Sequence, residues 1–294
     1  MTRQLIRLLP RVLAVAIPVG YLAYALVSWF RVWNPADAGA YYDAASRLLD
    51  GQPLYPAMSP DSYEVYRYAP WFAVAWIPLT VLPRDGVLYV WSAAMLGCSL
   101  AAIWPLLRRP TWARVALAAI VGQGLAETAM FGNVHPLIVA VLVWTVGRRS
   151  FPAWVGVAAS IKLAPLAFAL VWALRRQWPK AASAVGVTLL LVAPMLFFDL
   201  RNYVTDPGTG LQSIYSVSPL AWAAAAAASL AATVWLAVRG SPYAWIAAAL
   251  LMFLGPPRVV LSYASFIVVA YELAQRDLTA ARGLPPRGAR DPGD

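Results

Sequence analysis

N-P-A-D-A-G-A-Y-Y-D-A-A-S-R-L-L-D-G-Q-P-L-Y-P, residues 34–56, is a polar island between long apolar runs. Asp37, Asp43 and Asp50 fall within it and Asp61 and Glu64 follow closely, whereas carboxylates are sparse in the hydrophobic sequence beyond. The stretch predicts a short helix with marked ends. Asn34 is placed to cap it, Pro35 suits the first helical position, and Asp37 sits three residues after the cap, where an acid reaches back to the cap's own N–H. Asp37 and Tyr41 lie one turn apart and share a face, while Tyr42, Ala45, Leu48 and Leu49 supply an apolar side. Gly51 followed by Pro53 stops the helix. The island is therefore an amphipathic helix lying at a membrane surface or against other helices, and any chemistry should start there.

What surrounds it is membrane-like. The chain has 294 residues, of which 61% are hydrophobic and 12% charged, with a mean hydropathy of +0.63. That is too apolar for a soluble globular domain, so the expected class is an all-α polytopic membrane protein. The formal net charge is +10, but the basic residues are nearly all arginines in short connections and at the two ends. This fits the positive-inside rule and argues against a nucleic-acid partner, which would need a basic stripe on one solvated face. Cys98 is the single cysteine, so neither a disulfide framework nor a cysteine metal cluster is expected. Arg3, Arg7 and Arg11 precede an apolar run at 12–30, about 19 residues and enough for a hydrocarbon core of roughly 30 Å. Trp29, Arg31 and Trp33 close it where a cleaved leader would have small residues, so an uncleaved first span with a cytoplasmic N-terminus is expected.

Taken in order, that span delivers residues 31–85 to the outer side. The next apolar piece, 63–83, is broken by Pro70 and Pro78 and reads as interfacial or re-entrant. Residues 87–107 then run inward to Arg108, Arg109 and Arg114, and 115–131 run outward with Glu127 near the outer end. The turn F-G-N-V-H-P carries Asn133 and His135, the only histidine, before 136–146 return to Arg148 and Arg149. Residues 151–174, interrupted by Lys162 and Pro165 and followed by Arg175 and Arg176, predict a hairpin of two short helices with Lys162 at its tip. Residues 181–198 run out to a loop. The alanine-rich 220–238 return, with small side chains that favour surrounding helices. Residues 243–254 go out, G-P-P-R turns at Arg258, and 259–274 come back. About ten crossings result on span-length reasoning, with both termini cytoplasmic. The expected organisation is a transmembrane domain at 1–275 and a disordered cytoplasmic tail at 276–294.

In that order the chain resembles the GT-C superfamily of polytopic glycosyltransferases, and most closely glycosyltransferase family 87, the polyprenol-phosphate-mannose-dependent mannosyltransferases. The likeness rests on D-A-G-A-Y-Y-D-A-A-S-R-L-L-D-G-Q-P-L-Y, Y-R-Y-A-P-W-F-A-V-A-W-I-P-L, F-G-N-V-H-P-L-I-V-A-V-L, A-A-S-I-K-L-A-P-L and G-P-P-R-V-V-L-S-Y, spread from Asp37 to Tyr263. It implies an inverting transfer of a sugar, expected to be mannose, from a polyprenyl-phosphate donor to a hydroxyl of a glycolipid or envelope glycan. The reaction is expected on the extracytoplasmic face of the cell membrane. By motif match Asp37 falls where such enzymes place the acid that deprotonates the acceptor.

Displacement at an anomeric carbon needs a base for the incoming hydroxyl and positive charge for the departing phosphate. A helix N-terminus favours an ionised Asp37, and general-base help is worth ~10²–10⁴-fold. Arg67, Lys162 and Arg258, all expected near the outer side, are candidate phosphate cations. An intramembrane cation costs roughly 2.5–3.5 kcal/mol on insertion scales, so such residues line cavities or pair. Tyr41 and Tyr68, with Asn133 and His135, complete the candidate substrate-binding set. No cofactor is required, and no cluster of metal ligands demands a metal, although Asp and Glu could hold a divalent ion weakly.

Plainer roles stand beside these. Asp37 is also a capping acid, Lys162 a snorkelling hairpin tip, Arg67 and Arg258 headgroup anchors, and His135 a turn residue. Broken helices with intramembrane charge also mark transport paths, so a transporter or lipid translocase, or an inactive GT-C-like scaffold, stays open.

Overall fold

The structure is a computed structural model that describes residues 2–32, 34–57, 65–203, 214–257 and 261–283. Among these the chain is helical throughout. Helix α1 spans Thr2–Val32 and α2 Ala36–Leu49. Helix α3 spans Pro70–Trp76 and continues as a 3₁₀ turn at Ile77–Val81. Then follow α4 (Arg84–Leu107), α5 (Trp112–Met130), α6 (His135–Thr145), α7 (Phe151–Ile161) and α8 (Leu166–Leu174). Helix α9 (Trp178–Val192) ends in a 3₁₀ turn at Ala193–Phe197. The last are α10 (Ile214–Val217), α11 (Pro219–Val238), α12 (Ala244–Leu254) and, after a 3₁₀ turn at Leu261–Ser265, α13 (Phe266–Ala281).

Four segments are long and apolar enough to cross a membrane: Leu8–Ser28, Arg84–Leu107, Trp178–Phe197 and Pro219–Val238. The protein is an integral membrane protein on that ground. The remaining expected crossings fall on other helices, several of which are short. An 11-residue helix such as α6, α7 or α12 rises about 16 Å, roughly half a hydrocarbon core. These short helices are the buried ones. Helix α6 packs between α4 and α7, α7 lies along α9, and α12 sits among α8, α11 and α13, so their polar ends meet protein instead of lipid. At the α7–α9 contact a side chain on Gly156 would collide with the Ala184 carbonyl. Thr188 bonds the Gly156 carbonyl at 3.1 Å there.

Several expectations need correction. Helix α2 starts at Ala36 with Pro35 as its cap residue, and no side chain caps it. Asn34 therefore lies before the helix. The face that α2 buries carries Ala38, Tyr41, Ala44 and Ala45, while Leu49 is exposed, because α2 packs on α3, its 3₁₀ continuation and α4. Helix α11 is not surrounded. It buries Ser229, Thr233 and Ala237 on one face and leaves Ala223, Ala224, Ala227, Ala228 and Ala231 exposed on the other. Finally, α13 runs to Ala281, past the expected boundary at 275. Asp277 anchors this extension through an ion pair to Arg175. Arg258, Asp61 and Glu64 lie outside the described residues.

The 151–174 hairpin is present as α7 and α8, with the break at Lys162–Pro165 where proline and an extended Lys162 interrupt the helical ladder.

Candidate functional site

The site forms where the start of α2 docks on the turn between α5 and α6. The Asp37 N–H donates to the Phe131 carbonyl at 3.1 Å. Gly132 makes this approach possible: its φ is +67°, and a Cβ there would lie 2.5 Å from the Ala38 methyl. The Trp91 indole donates to the Gly132 carbonyl at 2.7 Å and pins the turn.

Asn133 then links turn to helix. Its Oδ1 accepts the His135 N–H at 2.9 Å, satisfying a backbone donor at the start of α6 and leaving the amide nitrogen facing the other way. That nitrogen donates to Asp37 Oδ2 at 3.0 Å. The carboxylate is thus held by a side chain whose own orientation is set by the backbone. Asp37 itself is half-buried, neither sealed nor bathed in solvent.

Behind the carboxylate lies a layer of phenols. Tyr41, fully buried, accepts the Val134 N–H at 3.3 Å and donates to the Tyr68 hydroxyl at 3.1 Å. Burial pushes both phenols far above the ordinary tyrosine range, and the charge of Asp37 adds to the effect at each, so both stay protonated donors. A second tyrosine layer fixes the backbone that carries Tyr68. The Tyr55 hydroxyl donates to the Tyr68 carbonyl at 2.8 Å, Tyr66 donates to the Ala69 carbonyl at 2.8 Å, and Tyr203 donates to the Arg67 carbonyl at 3.1 Å.

Lys162 enters from the α7–α8 break. Its ammonium lies 5.2 Å from the centroid of the Tyr263 ring, a cation–π contact. Burial lowers this lysine to about 8, and the Asp37 carboxylate opposes that by favouring the charged form. The two charges therefore sense each other across the site. Beside them, the Trp71 indole donates to Ser160 Oγ at 3.1 Å and ties α3 to the end of α7. An apolar cavity of about 440 Å³ opens on this flank, with Trp71, Phe72, Trp76, Trp91, Val134 and Ile161 in its wall.

Of the expected site residues, Asp37, Tyr41, Tyr68, Asn133 and Lys162 converge. Arg67 sits next to Tyr68 in the chain, but its side chain is exposed. His135 is not a turn residue. It is completely buried at the start of α6, with Nε2 2.8 Å from both the Ser262 carbonyl and Ser265 Oγ. Its ring stacks on Tyr263 and meets Phe266 edge-on. Tyr263 is the residue that motif reading missed. It contacts both Lys162 and His135, and its only signal was its place at the end of G-P-P-R-V-V-L-S-Y. Glu127 accepts a bond from Gln123 one turn earlier at 3.1 Å. Among the described residues no three His, Cys, Asp or Glu side chains converge as metal ligands would.

A family model for glycosyltransferase family 87 matches residues 66–211. That range holds Arg67, Tyr68, Asn133, His135 and Lys162 and leaves Asp37, Tyr41 and Tyr263 outside it. A curated relative from Mycolicibacterium smegmatis (strain ATCC 700084 / mc(2)155) is 27% identical over 231 residues, covering 69% of this chain. It is named polyprenol-phosphate-mannose-dependent alpha-(1-2)-phosphatidylinositol pentamannoside mannosyltransferase. The match covers 53% of the relative, so the chain spans about half its length. No solved structure matches.

Proposed function

We propose, on the premise that this chain is a relative of glycosyltransferase family 87, that it is an inverting membrane glycosyltransferase with Asp37 as its base. The donor is a polyprenyl-phosphate sugar, with mannose the first sugar to test. The acceptor is a hydroxyl of a glycolipid or envelope glycan. The single observation that carries this reading is the carboxylate of Asp37, held at 3.0 Å by Asn133 with the Lys162 cation in its field. A base and a counter-charge for phosphate thus face one half-buried space.

In the proposed step Asp37 takes the proton of the acceptor hydroxyl as the oxygen attacks the anomeric carbon from the side away from the phosphate. The bond from that carbon to the phosphate oxygen breaks, the electron pair leaves with the polyprenyl phosphate, and the anomeric configuration inverts. Lys162 offsets the charge that builds on the phosphate, where a fixed cation in a poorly hydrated site acts most strongly. Tyr41, Tyr68 and Asn133 hold the carboxylate and offer polar edges to sugar hydroxyls. The apolar cavity beside Trp71 suits the first isoprene units of the donor. Arg67, on the exposed rim, and Arg258 are proposed as further phosphate contacts, and the site is proposed to face the extracytoplasmic side, with both termini in the cytoplasm.

The test is sugar transfer by purified protein from labelled polyprenyl-phosphate-mannose to a panel of lipid acceptors. Labelled product that Asp37→Asn abolishes, with unchanged thermal unfolding, supports the proposal. Transfer unaffected by that change retires Asp37 as base, and flux of an unmodified solute across vesicles with no sugar transferred replaces the enzyme with a transporter.

A further inference from the structure

His135 supplies neither charge of the proposed step, yet it touches the support of both. Its side chain is completely buried, so it does not meet a substrate. Packing alone does not call for an imidazole there. The ring lies against Tyr263 and Phe266, where an apolar side chain would avoid the cost of burying polar nitrogens. One of those nitrogens, Nδ1, is buried with no hydrogen-bond partner among the described residues.

The other nitrogen shows what is gained. Nε2 lies 2.8 Å from both the Ser262 carbonyl oxygen and Ser265 Oγ. A carbonyl only accepts, so Nε2 carries the hydrogen and donates it, and Ser265 Oγ donates to the same carbonyl. These bonds close on the 3₁₀ turn at Leu261–Ser265. A 3₁₀ turn this short has few bonds of its own. It packs on α5 and α12, and the His135 donor ties it to the start of α6. Within the turn, the Tyr263 ring stacks on the imidazole with centroids 5.5 Å apart, and the Lys162 ammonium lies 5.2 Å from the centroid of that same ring.

The main chain of His135 serves the other charge. Its N–H donates to Asn133 Oδ1 at 2.9 Å, and Asn133 donates to Asp37 at 3.0 Å. One residue at the start of α6 thus holds the carboxylate through its backbone and reaches the lysine through its ring. A side-chain substitution keeps the backbone N–H and so separates the two.

We infer that His135 is a positioning residue of this site: its Nε2 hydrogen bond seats Tyr263, and Tyr263 seats the Lys162 ammonium within the field of Asp37. The inference rests on the proposed transfer only for what the two charges do, and the seating itself is read without sugar. Lys162 senses Asp37 of α2 and His135 of α6 and rests on Tyr263 of the turn, while Tyr68, ahead of α3, senses Asp37 and Tyr263. Burial brings the lysine to about 8, so displacing Tyr263 admits water and raises it toward the ordinary lysine value.

The experiment uses the fact that Lys162 and Lys180 are the only lysines in the chain. The purified full chain in detergent is reductively methylated with a ¹³C label, and the lysine signals are followed by NMR as pH is raised. Loss of a signal in Lys162→Arg identifies Lys162, and Lys180, exposed, is the internal reference. His135→Phe keeps a stacking ring and removes the donor. Its Lys162 midpoint should rise by about one pH unit with Lys180 unmoved. His135→Asn, too short to reach the Ser262 carbonyl, should do the same and serves where His135→Phe does not fold. His135→Gln, which returns an N–H at the longer reach, should titrate as wild type. Tyr263→Leu leaves the imidazole in place and should give the same rise as His135→Phe. In sugar transfer the donor-less variants should lose roughly 10-fold in kcat, part of the effect of one preorganised contact, with the acceptor KM unchanged and the alkaline limb moved up with the Lys162 midpoint. A histidine that only supports the fold predicts earlier thermal unfolding with the Lys162 midpoint unmoved. That result, a wild-type titration in Tyr263→Leu, or a His135→Gln variant that titrates like His135→Phe overturns the inference. A shifted midpoint in a chain that transfers no sugar keeps the seating and overturns only the enzymatic reading.

Discussion

The two ends of the α7–α8 hairpin treat charge in opposite ways. At the arginine-rich end, Arg175 closes on Asp277 at 2.6 Å and also donates to the Ser241 carbonyl. The Trp245 indole donates to the same carboxylate oxygen at 2.8 Å, and the guanidinium lies 4.9 Å from the Trp245 ring centroid. Nearby, Arg114 donates to the Tyr271 hydroxyl at 3.0 Å. Charge there is spent on fastening α13 to the rest of the fold. At the other end Lys162 forms no ion pair among the described residues. It rests instead on an aromatic ring within the field of Asp37. One end uses its charges to hold helices together, and the other sets a lysine on an aromatic ring within the field of a carboxylate.

The largest expected effect breaks that contrast directly. Asp37→Asn should cut sugar transfer by ~10²–10⁴-fold, the worth of a general base, and leave thermal unfolding unchanged. If the variant instead unfolds early and the surviving folded fraction transfers sugar normally, the Asp37 end is structural like its counterpart.

Lys162→Ala should follow, with transfer reduced by roughly 10²-fold, the scale seen when one preorganised electrostatic contact is removed. Its pH dependence sharpens the comparison. Lys162 is brought to about 8 by burial, so its charge is present below that pH and is lost as pH rises through it. Initial rates should therefore fall above about pH 8, and Lys162→Arg, charged throughout, should flatten that limb even where it lowers the maximum. A wild-type profile with no such limb removes Lys162 from the step.

Arg175→Ala should do the reverse of Asp37→Asn. Breaking a buried ion pair costs several kcal/mol, and the Asp277 side chain, at 36% exposed, scales this down to roughly 2 kcal/mol. Thermal unfolding should come several degrees earlier while transfer per folded molecule stays the same.

Tyr41→Phe should have the smallest effect. It removes the bonds to Val134 and Tyr68 but keeps the ring edges against Phe72 and Trp76. A cost of about 1 kcal/mol in stability is expected, with transfer lowered a few-fold as the α2–α6 junction loosens. A Tyr41→Phe loss as large as that of Asp37→Asn would mean the phenol itself touches the reacting atoms.

The membrane class, a short helix within 34–56 and the hairpin broken at Lys162 were all legible in the chain, because composition, proline placement and helical period are local properties. The shared face of Asp37 and Tyr41 was legible for the same reason. The partner that holds Asp37 was not legible. A side chain in the first turn of a helix can turn back to its own cap or forward to a partner, and the partner here, Asn133, is 96 residues away in sequence. The surroundings of His135 were hidden on similar grounds: a histidine before a proline reads as a turn, and the serines that its ring nitrogen meets come 127 and 130 residues later.

By itself, then, the sequence determined a polytopic helical protein with one acid-bearing helix among its apolar segments, since how much apolar surface a segment carries is written in that segment. Only the tertiary structure decided which partner each charge meets. A carboxylate looks the same in the chain whether an arginine later folds onto it, as at Asp277, or an amide donates to it, as at Asp37. That difference is settled by which distant helices pack together, and so by contacts that exist only once the bundle has formed.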